Sequence, residues 1–296
     1  MSAITNKDIL FIINPNSGNQ KAEALIERIQ AIDPEIPFAL TRNLKERTKI
    51  FKENLEKYKV FVVVGGDGTV NKAIKYLIGH DDKILAVYPA GSGNGFSNEL
   101  GFTKDLDKLI KNARQGESIL VDVLSVNKKN CINVAGLGFD SYVAHQFQLS
   151  KGRGLKNYIR ATLKSVFTFK PFYAKLNVDD NIIEGKYQII SIANTRQFGN
   201  NAIISPLSKP NDEIFELVLA KPFPLYLYPV FVLKMFRGTL KESKYVSFIQ
   251  VKKKIKIESD FKMYHVDGEP KIFDENLNIK MKKKKIRVLK TSSNRI

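Results

Sequence analysis

The sequence predicts an α/β nucleotide-binding domain over residues 1–120, built on a parallel sheet, followed by an antiparallel β-sandwich domain over residues 121–296. Three observations predict this. Strand and helix signals alternate through the first part of the chain, short β runs separated by turn residues take over from about Ser118, and Val60-Phe-Val-Val-Val64 is an unbroken β-branched and aromatic run. Alternating strands and helices make a parallel sheet with helices on both faces, and a strand buried on both faces reads as a continuous apolar run.

In order, Ile9–Ile13 reads as a strand, Lys21–Ile32 as a helix, Phe38–Thr41 as a strand and Leu44–Tyr58 as a helix. Val60–Val64 is the next strand, Val70–Ile78 a helix, Ile84–Tyr88 a strand and Leu106–Arg114 a helix. Ligands of such sheets bind beyond the carboxyl ends of the strands. The second domain shows β runs at Ile119–Asn127, Asn130–Ala135, Ala174–Val178, Tyr187–Ala193, Phe215–Ala220, Val246–Val251, Ile255–Glu258, Leu277–Met281 and Ile286–Leu289. Helical segments interrupt them at Leu149–Phe169 and Leu225–Arg237, and lysines join the last two strands as a hairpin would.

With 296 residues, 43% of them hydrophobic, the chain can bury a proper core. Cys131 is the single cysteine, so there is no intramolecular disulfide and no cysteine metal site, and a reducing cytoplasm is the expected compartment. The apolar run Ile9–Ile13 is too short for a signal or a membrane span. The net charge is +18, and Val251–Ile296 holds 14 basic against 6 acidic residues, concentrated in Lys252–Lys256 and Lys282–Lys285. Such a surface seeks anions. With no helix-turn-helix, zinc-finger or RNP pattern, nucleic acid is not expected as a partner.

Three loops follow three strands of the first domain. In Gly65-Gly-Asp-Gly-Thr69, closely spaced glycines let backbone N–H groups approach a phosphate as a helix begins. Asp67 stands in that turn; a bare carboxylate repels phosphate, so Mg²⁺ or a hydroxyl is expected between them. Asn14-Pro15-Asn16-Ser17-Gly18 and Pro89-Ala-Gly-Ser-Gly-Asn-Gly95 are each ordinary turn chemistry alone, but three such loops at one sheet edge make a nucleotide cradle.

These three motifs resemble those of the diacylglycerol kinase catalytic-domain family, the lipid kinases that include sphingosine kinases. Val121-Asp-Val123, Asn133–Asp140, Asn211–Glu216 and Asp267-Gly-Glu269 also match family landmarks in order, so the resemblance covers nearly the whole chain. It implies ATP- and Mg²⁺-dependent phosphorylation of a lipid hydroxyl, diacylglycerol-like or sphingoid, in a cleft between the two domains. The resemblance assigns ATP to Asn14, Pro15, Ser17, Gly18, Thr41, Gly65, Gly66, Asp67, Gly68, Thr69, Val70, Asn71, Gly91, Ser92, Gly93 and Asn94. It assigns Asp67 and Asp122 to the Mg²⁺ and water network and Glu269 to the general base. A carboxylate base suits a poorly nucleophilic alkyl alcohol, although phosphoryl transfer is mostly positioning and charge neutralisation.

The resemblance also implies a structural Mg²⁺ held by the Asp212 side chain and the carbonyls of Lys209 and Ile214. The family usually shows Asp-Gly where this chain has Asp212-Glu213, and an ordinary turn capped by Asp212 is the alternative. Ser92 and Gly95 stand where many bacterial members carry threonine and aspartate, closer to sphingosine and ceramide kinases, and Asp140 resembles a position those enzymes use near the lipid head group. His80, His145 and His265 lack the spacing of a metal site or triad. Pro222–Phe236 is the most apolar stretch, readable as a packed core helix, an acyl-chain lining or a membrane contact. The expected partner is a lipid at an anionic membrane surface, reached by peripheral association; no protein partner follows, and a homodimer stays open. Two alternatives remain, an NAD kinase, which shares Gly-Gly-Asp-Gly-Thr, and a non-catalytic nucleotide or anionic-lipid binding protein.

Overall fold

The structure is a computed structural model that describes residues 4–15, 22–149 and 155–292. It divides into two units, one of 1–121 with 284–296 and one of 122–283.

The first unit holds β1 (Ile9–Ile13), α1 (Ala22–Ile32), β2 (Phe38–Leu40), α2 (Leu44–Asn54), β3 (Val60–Gly65), α3 (Asp67–Leu77), β4 (Ile84–Pro89), α4 (Gly95–Glu99), α5 (Leu106–Gln115) and β5 (Ser118–Val121). β1, β3 and β4 are buried at every residue, which is why they read as apolar runs without alternation. Helices bury one stripe each: in α3 Val70, Ala73, Ile74 and Leu77 recur at helical spacing and face the core. Local signals set the helix ends. Asn43 accepts from the Glu46 N–H to cap α2, Asp105 accepts from the Lys108 N–H to cap α5, and Gly116 closes α5 at φ 69°.

The second unit holds β6 (Leu124–Val126), β7 (Lys129–Cys131), β8 (Val134–Gly138), α6 (Phe139–Leu149), α7 (Leu155–Thr168), β9 (Phe172–Val178), β10 (Asn181–Tyr187), β11 (Ile189–Ala193), β12 (Phe215–Ala220), α8 (Tyr228–Arg237), β13 (Val246–Val251), β14 (Lys254–Ser259), β15 (Met263–Val266), β16 (Glu269–Ile272) and β17 (Asn276–Met281). The last strand, β18 (Ile286–Leu289), returns to the first unit and completes its sheet in the order β2-β1-β3-β4-β18-β5. The second unit forms two antiparallel sheets, β10-β9-β14-β17-β6-β7 and β13-β12-β11-β8-β15-β16. In β9, Phe172, Ala174, Leu176 and Val178 are buried while Tyr173 and Lys175 are exposed, the alternation of a sheet with one wet face. In β12, Phe215, Leu217 and Leu219 join the main sandwich core, whereas Val218 and Ala220 join a second cluster, so this strand is buried on both faces.

Several sequence-based expectations change. The lysine-joined hairpin does not form: β17 pairs with β14 and β6, whereas β18 pairs parallel to β4 and antiparallel to β5. Residues 284–296 therefore leave the second domain, and Lys282–Lys285 is the stretch where the chain passes back to the first unit. Lys282 donates to Asn130 Oδ1 and burial lowers its pKa, while the Lys285 carbonyl accepts from the Gly79 N–H. The run Ile119–Asn127 is two strands broken at Asp122, and Asn130–Ala135 is likewise divided between β7 and β8. β10, an edge strand with four exposed residues and an internal glycine, carries too weak an apolar pattern to be read in advance.

Candidate active site

The strand order β2-β1-β3-β4 places the connections from β1 and β3 on opposite sides, the switch point at which α/β sheets bind ligands. Asn14, just after β1, spans that point: its Nδ2 donates to Thr69 Oγ1 in the first turn of α3 at 3.2 Å. Thr41 follows β2, and its backbone N–H donates to the Ile13 carbonyl. Its side chain is 1% exposed, yet its hydroxyl has no hydrogen-bond partner among the described residues. A buried hydroxyl without a partner costs about 1–3 kcal/mol, which a ligand oxygen would recover. Pro15 lies in the turn after Asn14, while Ser17 and Gly18 lie outside the described residues.

The two glycine loops meet backbone to backbone. A Cβ on Gly91 would stand 2.5 Å from the Gly66 Cα, and one on Gly66 2.9 Å from the Gly91 Cα, so neither position admits a side chain without moving main chain. Asn94, in the left-handed region at φ 50°, closes its own loop by accepting from the Gly91 N–H at 2.9 Å and donating to the Gly91 carbonyl at 2.8 Å. Asp67 joins the loops: one carboxylate oxygen accepts from the Gly95 N–H and the other from the Phe96 N–H, both at 3.0 Å. Burial pushes the Asp67 carboxyl above its usual range, and these N–H groups oppose that shift. Asp67 thus fixes the approach of the two loops as well as placing negative charge beneath them. Around the Cβ position of Gly68 there is open space, and Gly93 lies against Asp67. Ser92 is exposed at the loop tip, Asn71 is partly buried and Val70 faces the core.

In the second unit, Asp267 and Gly268, at φ 49° and 78°, make the two-residue turn joining β15 to β16. The Asp267 carboxylate accepts from the backbone N–H groups of Ile132 at 3.1 Å and Asn133 at 2.9 Å, and from Cys131 Sγ at 3.2 Å. Burial, then that carboxylate, drives the Cys131 thiol well up, so it stays protonated as a donor. Asp267 is an anchor. Glu269, one residue past the turn, is exposed and forms an ion pair with Lys271 Nζ at 2.8 Å.

His265, two residues before the turn, is buried. Its Nδ1 accepts from the Gly268 N–H at 3.4 Å, so Nε2 carries the proton that points to Asp140 Oδ2 at 3.1 Å. Asp140 also accepts from the Ser141 N–H and Ser191 Oγ. His265 is a core histidine, and its pairing with Asp140, 125 residues away, left no local sequence signal.

Asp122 is fully buried. Its N–H donates to the Pro210 carbonyl at 2.6 Å and its Oδ2 accepts from the Glu213 N–H at 2.8 Å, tying it to the loop that carries Lys209, Asp212 and Ile214. In that loop Asp212 Oδ1 accepts from the Ile214 N–H at 3.1 Å, the capped turn weighed above. Glu213 adopts φ 62°, so the left-handed geometry of an Asp-Gly turn persists with a side chain in place. Glu213→Gly removes roughly 1–2 kcal/mol of strain against roughly 0.5–1 kcal/mol of added chain entropy. Urea titration should show the variant more stable by about 0.5–1 kcal/mol, and a loss of stability would mean that this conformation is unstrained. Among the described residues no three His, Cys, Asp or Glu side chains converge to hold a metal. One carboxylate joining the glycine loops suits Mg²⁺, which is commonly held by one or two carboxylates plus substrate phosphates.

Residues 8–126 match the model of the diacylglycerol kinase catalytic domain, and residues 133–288 that of the YegS C-terminal NAD kinase beta sandwich-like domain. A "Probable lipid kinase YegS-like" protein of Shewanella frigidimarina is 26% identical over 260 residues, 85% of this chain and 82% of that protein. "Lipid kinase YegS" of Escherichia coli K12 is 31% identical over 175 residues, 56% of this chain and 58% of that protein. Among solved structures, a diacylglycerol kinase from Bacillus anthracis superposes with a TM-score of 0.75 at 18% identity, covering 97% of this chain and 98% of that one. An NAD kinase from Archaeoglobus fulgidus in complex with ATP superposes with a TM-score of 0.57 at 15% identity, covering 97% and 95%. These last two are likenesses of fold.

Proposed function

The chain belongs to the diacylglycerol kinase catalytic-domain family and is a kinase; on that premise we propose that it transfers the terminal phosphoryl group of ATP to the hydroxyl of a lipid at an anionic membrane surface. The observation that carries this reading is the pair of glycine loops joined by Asp67 at the switch point of the first sheet, with the Thr41 hydroxyl, unpartnered among the described residues, at the end of β2 in the same sheet. In this reading Thr41 and the loop backbones bind and orient the nucleotide, and Asp67 holds the loops at their spacing. Asp67 is also the carboxylate that would hold Mg²⁺, which when bound with the nucleotide would supply charge neutralisation at the phosphates. Asp122 keeps the Pro210–Glu213 loop in place through its two backbone contacts, and a structural Mg²⁺ at Lys209, Asp212 and Ile214 belongs to the same proposal. Glu269, on a hairpin anchored by Asp267, accepts the proton of the acceptor hydroxyl at its carboxylate as the new P–O bond forms.

The test is transfer of label from γ-labelled ATP to a total lipid extract, with NAD offered in parallel and the products identified. A labelled phospholipid is the expected product. Labelled NADP without labelled lipid would replace this reading by the NAD kinase one, and label in neither would overturn the assignment of acceptor.

A further inference from the structure

We propose that α8, with the Pro222–Leu227 segment leading into it, is the surface by which this protein docks on an anionic bilayer. This deepens the lipid-kinase reading and rests on it only for the purpose of docking. The helix is apolar nearly all round, with Lys234 and Arg237 its only charges, yet none of its residues is buried. Tyr228, Phe231 and Met235 account for the side that faces the protein: Phe231 and Met235 pack on the second cluster of the sandwich, and the Tyr228 ring lies 5.7 Å from that of Phe139. A helix so mounted ordinarily turns polar residues to water. Here the outward positions are Pro229, Val230, Val232, Leu233 and Phe236, the last 53% exposed, and they continue into Leu225 and Tyr226, the latter 76% exposed.

Charge selects the occupant. From Leu217 to Lys241 the chain has no acidic residue, and its basic residues, Lys221, Lys234, Arg237 and Lys241, stand at the flanks and C-terminal end of the apolar stretch. Apolar side chains bordered by cations with no anion among them complement the acyl and phosphate layers of an anionic membrane, in which a helix lies at the interface instead of crossing it. No helix among the described residues is long and apolar enough to cross a membrane. The two lysine runs stand outside this segment. Lys282–Lys285 is engaged in the chain's return to the first sheet, and at Lys252–Lys254 the backbone N–H groups wrap the Asp179 carboxylate.

The experiment is co-sedimentation with vesicles of phosphatidylcholine alone and of phosphatidylcholine mixed with phosphatidylglycerol. Wild type is compared with the exposed-face double variant Leu233→Ser/Phe236→Ser and with Lys234→Gln/Arg237→Gln. Removing two large apolar side chains from the contact should weaken partition by at least about tenfold on the mixed vesicles. The charge variant should bind more weakly on mixed vesicles and no differently on neutral ones. Circular dichroism and transfer to acceptor dispersed in detergent should match wild type in both, which separates lost docking from lost folding. Wild type that does not sediment, or a double variant that sediments equally, overturns the proposal. A wild-type dimer that the double variant converts to monomer, with vesicle binding unchanged, would assign the face to a second copy of this chain and also overturn it. If docking depends on this face but no lipid is phosphorylated in any format, the docking surface stands and the lipid-kinase reading falls.

Discussion

Asp67→Ala is expected to lower kcat by about three orders of magnitude while leaving a folded protein. The carboxylate accepts the Gly95 and Phe96 N–H groups that set the spacing of the two glycine loops, which alanine cannot do, and in the proposed mechanism it also supplies the charge that would hold Mg²⁺. Losing an electrostatic element aimed at the transferring phosphoryl group costs roughly 3–5 kcal/mol of transition-state stabilisation. The fold loses less. Two N–H groups at the start of α4 lose their acceptor, at about 1–3 kcal/mol if water does not replace it, and the helix core facing β3 is untouched. Asp67→Asn sharpens the test, because its one carbonyl oxygen can serve one of these donors while its NH₂ opposes the other. If the defect is charge alone, the two variants lose activity equally; if loop spacing contributes, asparagine retains more ATP affinity. Near-normal turnover in the alanine variant, with an intact circular dichroism spectrum, would remove Asp67 from the mechanism.

The N-terminal part of the first unit is legible in the sequence because its features are local. The runs at β1, β3 and β4 are buried on both faces, and the glycine loops sit at the strand ends where the ligand rule places them. What local reading cannot supply is how loops distant in sequence close on one another. That Gly66 and Gly91 touch, and that Asp67 reaches Gly95 and Phe96, depends on β3 and β4 being neighbours in the sheet. The same limit explains the second unit. Asp267 is in sequence only one member of the Asp267-Gly-Glu269 landmark, yet its carboxylate is taken up by Ile132 and Asn133, which precede the neighbouring strand β8. For β18, adjacency in sequence suggests a hairpin, whereas the first sheet offers a position between β4 and β5. α8 departs from its sequence pattern: apolar composition predicts burial, yet none of its residues is buried and Val230, Val232, Leu233 and Phe236 are exposed.

Glu269→Gln is expected to lower kcat by about a hundredfold or more with ATP affinity nearly unchanged, since a proton acceptor acts on the lipid hydroxyl and not on the nucleotide. The substitution should cost little stability. The hairpin is held by Asp267 and its backbone partners, and the Glu269–Lys271 pair is solvent-exposed, a class of ion pair worth about 0–1 kcal/mol. Glutamine keeps the shape and a hydrogen-bond acceptor but cannot take a proton. The pH–rate profile of the variant should therefore lose the acid limb that titration of a base produces, a change that a merely structural residue would not cause. Measured nucleotide binding is the control. If Glu269→Gln abolished ATP binding, the carboxylate would belong to the donor side, and the proton acceptor would have to be sought at Asp140. That carboxylate is held by His265 Nε2, the Ser141 N–H and Ser191 Oγ, so Asp140→Asn would then be the variant to carry the lost acid limb.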